Sequence, residues 1–115
     1  MIQIRKTYNE VNPELLYAEI RDFILKQGVS LGENKLETYT LPDESASFIS
    51  RSTLTFRVKD EAGRGGKECL RVHIVGSTRA ETKLMIDVDE VLFPQEKIAA
   101  LQNDLDFIFA SYEAE

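Results

Sequence analysis

Hydrophobic and polar residues alternate through the middle of the chain, and this alternation predicts β-strands. In residues 46–59, Leu54, Phe56 and Val58 alternate with threonine and basic side chains. The same period of two recurs in residues 68–76 and 82–92, and all three segments carry their apolar residues at even positions. Such a period is typical of a strand with one buried face. Residues 2–11 and 36–41 alternate less regularly and are predicted as two further strands.

Two segments have the period of an α-helix instead. The first begins with Asn12-Pro13-Glu14, which supplies an N-cap, a proline at the first helical position and an acid in the first turn, and it stops at Gly28. The second is predicted over residues 94–113. In each helix the apolar residues fall on one arc of about 100°, as expected of a helix that packs on a core with one side. These residues are Leu16, Ile20, Phe23 and Ile24 in the first, and Ile98, Leu101, Leu105, Ile108, Phe109 and Tyr112 in the second.

The predicted order is therefore strand, helix, four strands, helix, in a single domain over residues 1–115. Glycine-rich or polar turns join the last four strands, at residues 42–45, 60–66 and 77–80, so consecutive strands should be antiparallel neighbours. Because each strand has one apolar face, both helices must cover the same side of the sheet. The fold class is α+β, a two-layer sandwich. Pairing even with even positions places Phe56 opposite Leu70, and Val72 between Leu54 and Ile86.

Composition narrows the class of protein further. With 43% apolar residues, 30% charged residues and a net charge of −6, the chain is ordinary for a folded domain, and the acidic balance argues against a nucleic-acid partner. A single cysteine excludes an internal disulfide framework and a multi-cysteine metal site. No segment resembles a signal peptide or approaches the ~20 apolar residues of a membrane span. We expect a soluble, cytoplasmic protein with no membrane association.

The odd positions of the strands form a polar outer face. The register predicts three rows across it, listed as Arg57, Cys69 and Asp89; Thr55, Arg71 and Asp87; and Thr53, His73 and Met85. Arg57, Arg71, His73 and Asp87 are candidates for a surface that recognises a polar partner. The alternative is a lattice of surface ion pairs of ~0–1 kcal/mol each, which is what exposed sheet faces ordinarily carry.

We find no convergent catalytic group. Cys69 and His73 are four residues apart on one strand, roughly 13 Å, whereas a nucleophile and its base need about 3 Å. His73 is accordingly interpreted as an exposed sheet residue. The segment from Gly63 to Lys67 is glycine-rich, but it lacks the first glycine and the Ser or Thr of a phosphate-binding loop. We expect no catalytic residue, no metal ligand and no cofactor.

Four hydroxyl side chains fall at inward positions where apolar residues are expected. Ser50 and Ser52 lie between Phe48 and Leu54, and Thr38 and Thr40 share their parity on the preceding strand. Three explanations stay open: a partly polar cavity, the end of the sheet beyond the helices, or a β-bulge that turns Ile49 inward. The cavity alternative makes Thr38, Thr40, Phe48, Ser50 and Ser52 candidate ligand-binding residues.

Two large apolar residues are predicted on the outward faces of the helices. Phe107 lies opposite the apolar arc of the second helix, and Leu25 lies opposite that of the first. Exposed groups of this kind favour a subunit contact, and a homodimer is the commonest form.

The element order resembles one repeat of the TATA-binding-protein-like fold and the related helix-grip (SRPBCC-type) domains. The Asn12-Pro13-Glu14 entry to the first helix and the long terminal helix, residues 94–113, are similar to helix-grip proteins. The chain is shorter than most such domains, matches no catalytic motif of theirs and lacks the paired phenylalanines that kink DNA. Our first hypothesis is a non-catalytic module that binds a hydrophobic or amphipathic small molecule between the sheet and the terminal helix. The alternative is a homo-oligomeric or protein–protein interaction domain with no ligand.

Overall fold

The computed structural model describes residues 1–41, 44–59, 65–76 and 81–113, with side chains omitted at 40, 41, 44–48 and 65. Its strands are β1 (Ile2–Asn9), β2 (Ser30–Leu41), β3 (Glu44–Lys59), β4 (Gly65–Gly76) and β5 (Glu81–Val88). Its helices are α1 (Pro13–Leu25) and α2 (Gln95–Phe109), and a short 3-10 turn, Ala110–Tyr112, follows α2. The predicted element order and the α+β class are confirmed. Residues 42–43 of the predicted turn at 42–45, most of the glycine-rich loop at 60–66 and all of the turn at 77–80 lie outside the described residues; residues 44–45 already belong to β3.

The five strands form one antiparallel sheet in the order β1-β5-β4-β3-β2. β1 therefore pairs with β5, the last strand in the chain, and β2 forms the opposite edge. Both helices cover one face, with α1 packed over β3 and β4. α1 begins at the end of the sheet where β1 ends, and the C-terminal end of α2 returns to the same end, where Phe109 packs on Tyr8.

The register across the centre of the sheet is the one that parity predicts. Phe56 lies opposite Leu70, and Val72 lies between Leu54 and Ile86. The side chains of all five are buried. The central strands keep these even positions beneath the helices because a one-residue slip would turn the entire apolar set toward water.

The helix signals are also confirmed. Asn12 caps α1, and its Oδ1 accepts a hydrogen bond from the backbone N–H of Glu14. Beyond the helix, Gly28 has a φ of 88°, a left-handed conformation that glycine adopts without strain. Leu16, Ile20 and Ile24 are fully buried on the sheet. Ile98, Leu101, Leu105 and Phe109 of α2 join the same core. Ile108 and Tyr112, predicted on the same arc, are exposed, and the helix ends four residues earlier than predicted.

Two β-bulges alter the predicted outer face. Between β3 and β4 the register shifts after Phe56, so Arg57 lies opposite Glu68 and not opposite Cys69. Cys69 is the extra residue; it is buried, and its thiol donates to the backbone carbonyl of Phe56 over 3.5 Å. The prediction that Cys69 faces solvent is therefore wrong, because a bulge re-aims a side chain that simple alternation would expose.

The second bulge lies in β2, between Leu31 and Asn34. It brings the backbone N–H of Glu33 to 2.6 Å from the hydroxyl oxygen of Thr55, which is buried and not exposed as predicted. A Cβ at Gly32 would lie only 2.7 Å from that oxygen, so the close approach requires glycine. β2 thus begins six residues before residue 36, where the sequence predicts the strand to start, and its first half is irregular.

Leu25 is half-buried against the core, so its predicted place on the outward face is wrong. α1 ends at Leu25, and the chain turns there, with the backbone N–H of Gly28 donating to the carbonyl of Leu25. Within the described residues, neither helix has the length and apolar character needed to span a membrane.

Candidate functional site

Four buried hydroxyl groups lie on the inner face of the sheet, spread over β1, β5 and β3 toward the end where α1 begins. They belong to Tyr8, Thr82, Ser50 and Ser52, which we call the hydroxyl cluster. Tyr8 lies opposite Thr82, and Thr82 packs against Gly76, which lies opposite Ser50. None of the four hydroxyl oxygens has a hydrogen-bond partner within the described part of the chain. Buried polar groups are normally paired, so an unpaired group of four needs an explanation.

Tyr8 forms the end of the hydroxyl cluster beneath α2. Its ring packs on that of Phe109, with the centroids 5.8 Å apart. Burial raises the pKa of the Tyr8 phenol to about 12, since the phenolate would lose its hydration. On the same strand, the Lys6 ammonium lies 3.1 Å from a carboxylate oxygen of Asp106 and 3.0 Å from one of Glu113. These ion pairs fix the end of α2 over β1.

A cleft of about 450 Å³ opens between the start of α1 and the end of α2. It is lined by Glu10, Val11, Asn12, Leu15, Glu19, Ile108, Phe109 and Tyr112. Its walls are mainly apolar, its rim carries two carboxylates, and its volume falls within the range usual for small-molecule sites, ~300–1,000 Å³. Phe109 separates the cleft from Tyr8, so one aromatic side chain lies between the cleft and the hydroxyl cluster.

Two carboxyl groups face each other between the helices beside the cleft. Burial, together with the nearby carboxylate of Asp104, raises the pKa of Glu19 above its ordinary value. One carboxylate oxygen of Asp104 is itself buried and has no hydrogen-bond partner among the described residues. This pair gives the cleft a negative potential.

The predicted ligand-binding residues divide into three groups. Ser50 and Ser52 face inward as predicted, and the register there is regular, so no bulge turns Ile49 inward. Thr38 lies opposite Ser50 but is exposed, because α1 lies over β3 and β4. For Thr38, the end of the helix layer is the correct explanation. Thr40 pairs with Phe48 in the backbone register, and their side chains lie outside the described part of the structure.

The candidates on the outer face do not converge on one point. Arg71 lies directly opposite Asp87, but its guanidinium contacts Glu68 at 3.0 Å, while Asp87 accepts a hydrogen bond from the Gln3 amide at 2.8 Å. Arg57 is exposed and donates to the carbonyl of Gly66. These contacts resemble an ordinary polar sheet surface.

His73 is half-exposed and lies between Thr53 and Met85, as the register predicts. Cys69 is buried in its bulge, and burial raises the pKa of its thiol. A thiol with a raised pKa is a poor nucleophile at neutral pH. Among the residues that the structure describes, no three potential metal ligands come together.

Phe107 is 88% exposed on the outward face of α2, as its position predicts. On α1 the exposed large apolar residue is Leu15, which is 64% exposed, and not Leu25 as the sequence predicted. Sequence reasoning also missed Tyr8, Thr82 and the cleft. A signal existed for the first two, since both occupy even, inward positions on their strands. The cleft residues had no such signal, because they meet only when the two helix ends pack together.

The architecture defines a class, an open-faced two-layer α+β sandwich with a five-stranded antiparallel sheet. Comparisons with protein-family models, with curated proteins and with solved structures found no match to this chain. The resemblance to TATA-binding-protein-like and helix-grip domains stays a prediction.

Proposed function

We propose that this domain is a non-catalytic binding module for a hydrophobic or amphipathic small molecule, held between the sheet and the end of α2. The observation that carries the proposal is the hydroxyl cluster, with its four buried oxygens left unpaired. Each such group costs ~1–3 kcal/mol when nothing bonds to it. A ligand that supplies hydrogen-bonding atoms would remove that cost. It would reach the hydroxyls from the cleft by displacing Phe109, whose ring lies between, and its apolar part would stay against the cleft wall.

The charge around the cleft limits the chemistry of the ligand. Glu10 and Glu19 line it, and Asp104 adds a further carboxylate nearby. An anionic head group would meet like charge in a partly desolvated place. The ligand is therefore a neutral or cationic amphiphile, whose chain contacts Leu15, Ile108 and Tyr112.

The test is a thermal-shift and calorimetric comparison of octylamine, octanol and octanoate, which share one chain length. We expect octylamine and octanol to raise the melting temperature, by the equivalent of about 1.4 kcal/mol at ten times Kd, and octanoate to leave it unchanged. Leu15→Glu should abolish octanol binding, because the side chain lines the cleft. Phe107→Glu, the same kind of change at an exposed apolar position that does not line the cleft, is the control and should bind normally. Absence of a shift with all three compounds would exclude the proposal.

The second candidate is an interaction domain that docks another protein or a second copy through the backs of its helices. The exposure of Phe107, with Ile108 beside it 39% exposed, favours this alternative. It predicts an oligomer that Phe107→Glu dissociates. A monomer at high concentration that retains octanol binding would favour the ligand module.

A further inference from the structure

The unpaired edge of β2 is a second candidate interaction surface. β2 is the last strand of the sheet, so one side of its backbone faces away from every described strand. After its bulge the strand is regular from Asn34 to Thr40. Leu36 is 44% exposed and Tyr39 47% exposed. A long regular edge with exposed apolar residues is a template for pairing with another strand.

We propose that β2 pairs antiparallel with β2 of a second copy, about a two-fold axis at Leu36, to give a continuous ten-stranded sheet. The inference is independent of the proposed ligand. A two-fold axis that relates two edge strands in one sheet is perpendicular to that sheet, so residues directly opposite each other lie on the same face. The axis must therefore pass beside a residue and not between two residues, which leaves only a few possible registers.

Charge and regularity select among these registers. An axis at Asn34 would pair Lys35 with Glu33, but Glu33 lies in the bulge, outside the regular part of the edge. An axis at Lys35 would place two lysines opposite each other, and an axis at Glu37 would place two glutamates opposite each other; like charges directly opposite are destabilising. An axis at Leu36 places Lys35 opposite Glu37 of the second copy, twice, on the outer face. It also joins the two Leu36 side chains on the inner face.

An axis at Thr38 avoids like charges but leaves Lys35 and Glu37 without opposite charges across the junction. Within one chain, the Lys35 ammonium lies 3.6 Å from a carboxylate oxygen of Glu37. Lys35 is exposed, Glu37 is partly exposed, and both occupy odd positions on one face, so they can exchange this pairing for the reciprocal one. Both helix layers would lie on the same side of the joined sheet.

An edge-to-edge contact of this length buries less than the roughly 1,200 Å² of a stable interface, so we expect a weak dimer, with a Kd of about 10–1,000 μM. Analytical ultracentrifugation from 10 μM to about 2 mM measures it directly. Lys35→Glu or Glu37→Lys alone turns two unlike pairs into two like pairs and should weaken dimerisation about tenfold or more. Lys83→Glu, the same charge change at an exposed position of β5, is the control and should leave the Kd within about threefold.

Mixing the two single variants is the decisive arm. The Lys35→Glu chain carries carboxylates at both positions 35 and 37, and the Glu37→Lys chain carries ammonium groups at both. A heterodimer of the two therefore has unlike charges at both junction pairs and should form with at least the wild-type affinity. Restoration by mixing can arise only between chains, which separates this pairing from any effect within one strand. Circular dichroism should confirm that each variant is folded.

A wild-type chain that is monomeric at about 2 mM would overturn the proposal. So would a dimer that Phe107→Glu dissociates and the β2 variants leave intact, or single variants that fail to restore each other on mixing. Octanol binding is measured separately, and the cleft lies between the helices, so loss of either proposal is distinguishable from loss of the other.

Discussion

Replacing Thr82 by valine removes one oxygen from the hydroxyl cluster and leaves the shape of the side chain almost unchanged. Thr82 is fully buried, and its hydroxyl has no partner among the described residues. It packs so closely on Gly76 that the glycine has no room for a Cβ, and valine fills the same volume. An unpaired buried hydroxyl costs ~1–3 kcal/mol, and valine is at least as favourable as threonine in a strand.

We therefore expect Thr82→Val to raise the free energy of unfolding by about 1–2 kcal/mol. Urea denaturation followed by circular dichroism measures the change, with an unchanged m-value as the sign that only the native state is affected. The matched control is Thr53→Val, at a half-exposed outer-face position opposite His73, where the gain should stay below about 0.5 kcal/mol. A loss of about 1 kcal/mol or more in Thr82→Val, with the control neutral, would refute the reasoning, because it would mean that the native hydroxyl is hydrogen-bonded.

Three further predictions concern titratable groups. Tyr8→Phe should become progressively more stable than wild type between pH 10 and 12, by up to about 3 kcal/mol. The reason is that the folded-state pKa of Tyr8 is about 12, so wild-type stability falls as pH rises through that window. Equal dependence of stability on pH in the two proteins, measured by alkaline denaturation, would contradict this. Glu19→Gln should stabilise the protein at pH 7 by a few tenths to about 1 kcal/mol, because burial and the carboxylate of Asp104 disfavour the charged form of Glu19 and raise its pKa. The advantage should disappear as acid protonates Glu19 in the wild type. A gain that persists below about pH 4 would argue against repulsion between Glu19 and Asp104. Cys69 should resist alkylation by iodoacetamide in the native protein and react fully in urea, and rapid native labelling would show that its bulge opens readily.

The sequence predicts the centre of this fold well because one physical rule governs it. Leu54, Val72 and Ile86 share a parity, and only one register buries all three together. The same rule fails at Cys69, which is the extra residue of a bulge in β4, and at Thr55, which the bulged segment of β2 covers. Local periodicity contains no information about a bulge, since the extra residue is recognisable only against its partner strand.

The candidate site is predictable only in part, for a related reason. Ser50 and Ser52 stand out because polar residues interrupt an apolar face. The pairing of β1 with β5 depends on contacts between the two ends of the sequence, and it alone brings Tyr8 beside Thr82. The cleft depends on where two helix ends meet. Helical periodicity predicts that Leu16 is buried and that Leu15 is not, but it does not predict that Leu15 lines a cleft.

The hydroxyl cluster should lower the stability of the free protein and favour the binding of a ligand. An unpaired buried hydroxyl costs ~1–3 kcal/mol, a notable share of the ~5–15 kcal/mol that holds a domain folded. Substitutions that remove such a cost are common, and their recurrent drawback is loss of function at a site that uses the strained groups. If the cluster binds a ligand, Thr82→Val and Ser52→Ala should each make the protein more stable and bind octanol more weakly. Added stability with unchanged octanol affinity would mean that the hydroxyls are a structural cost with no role in binding, and the function would have to lie elsewhere on the molecule.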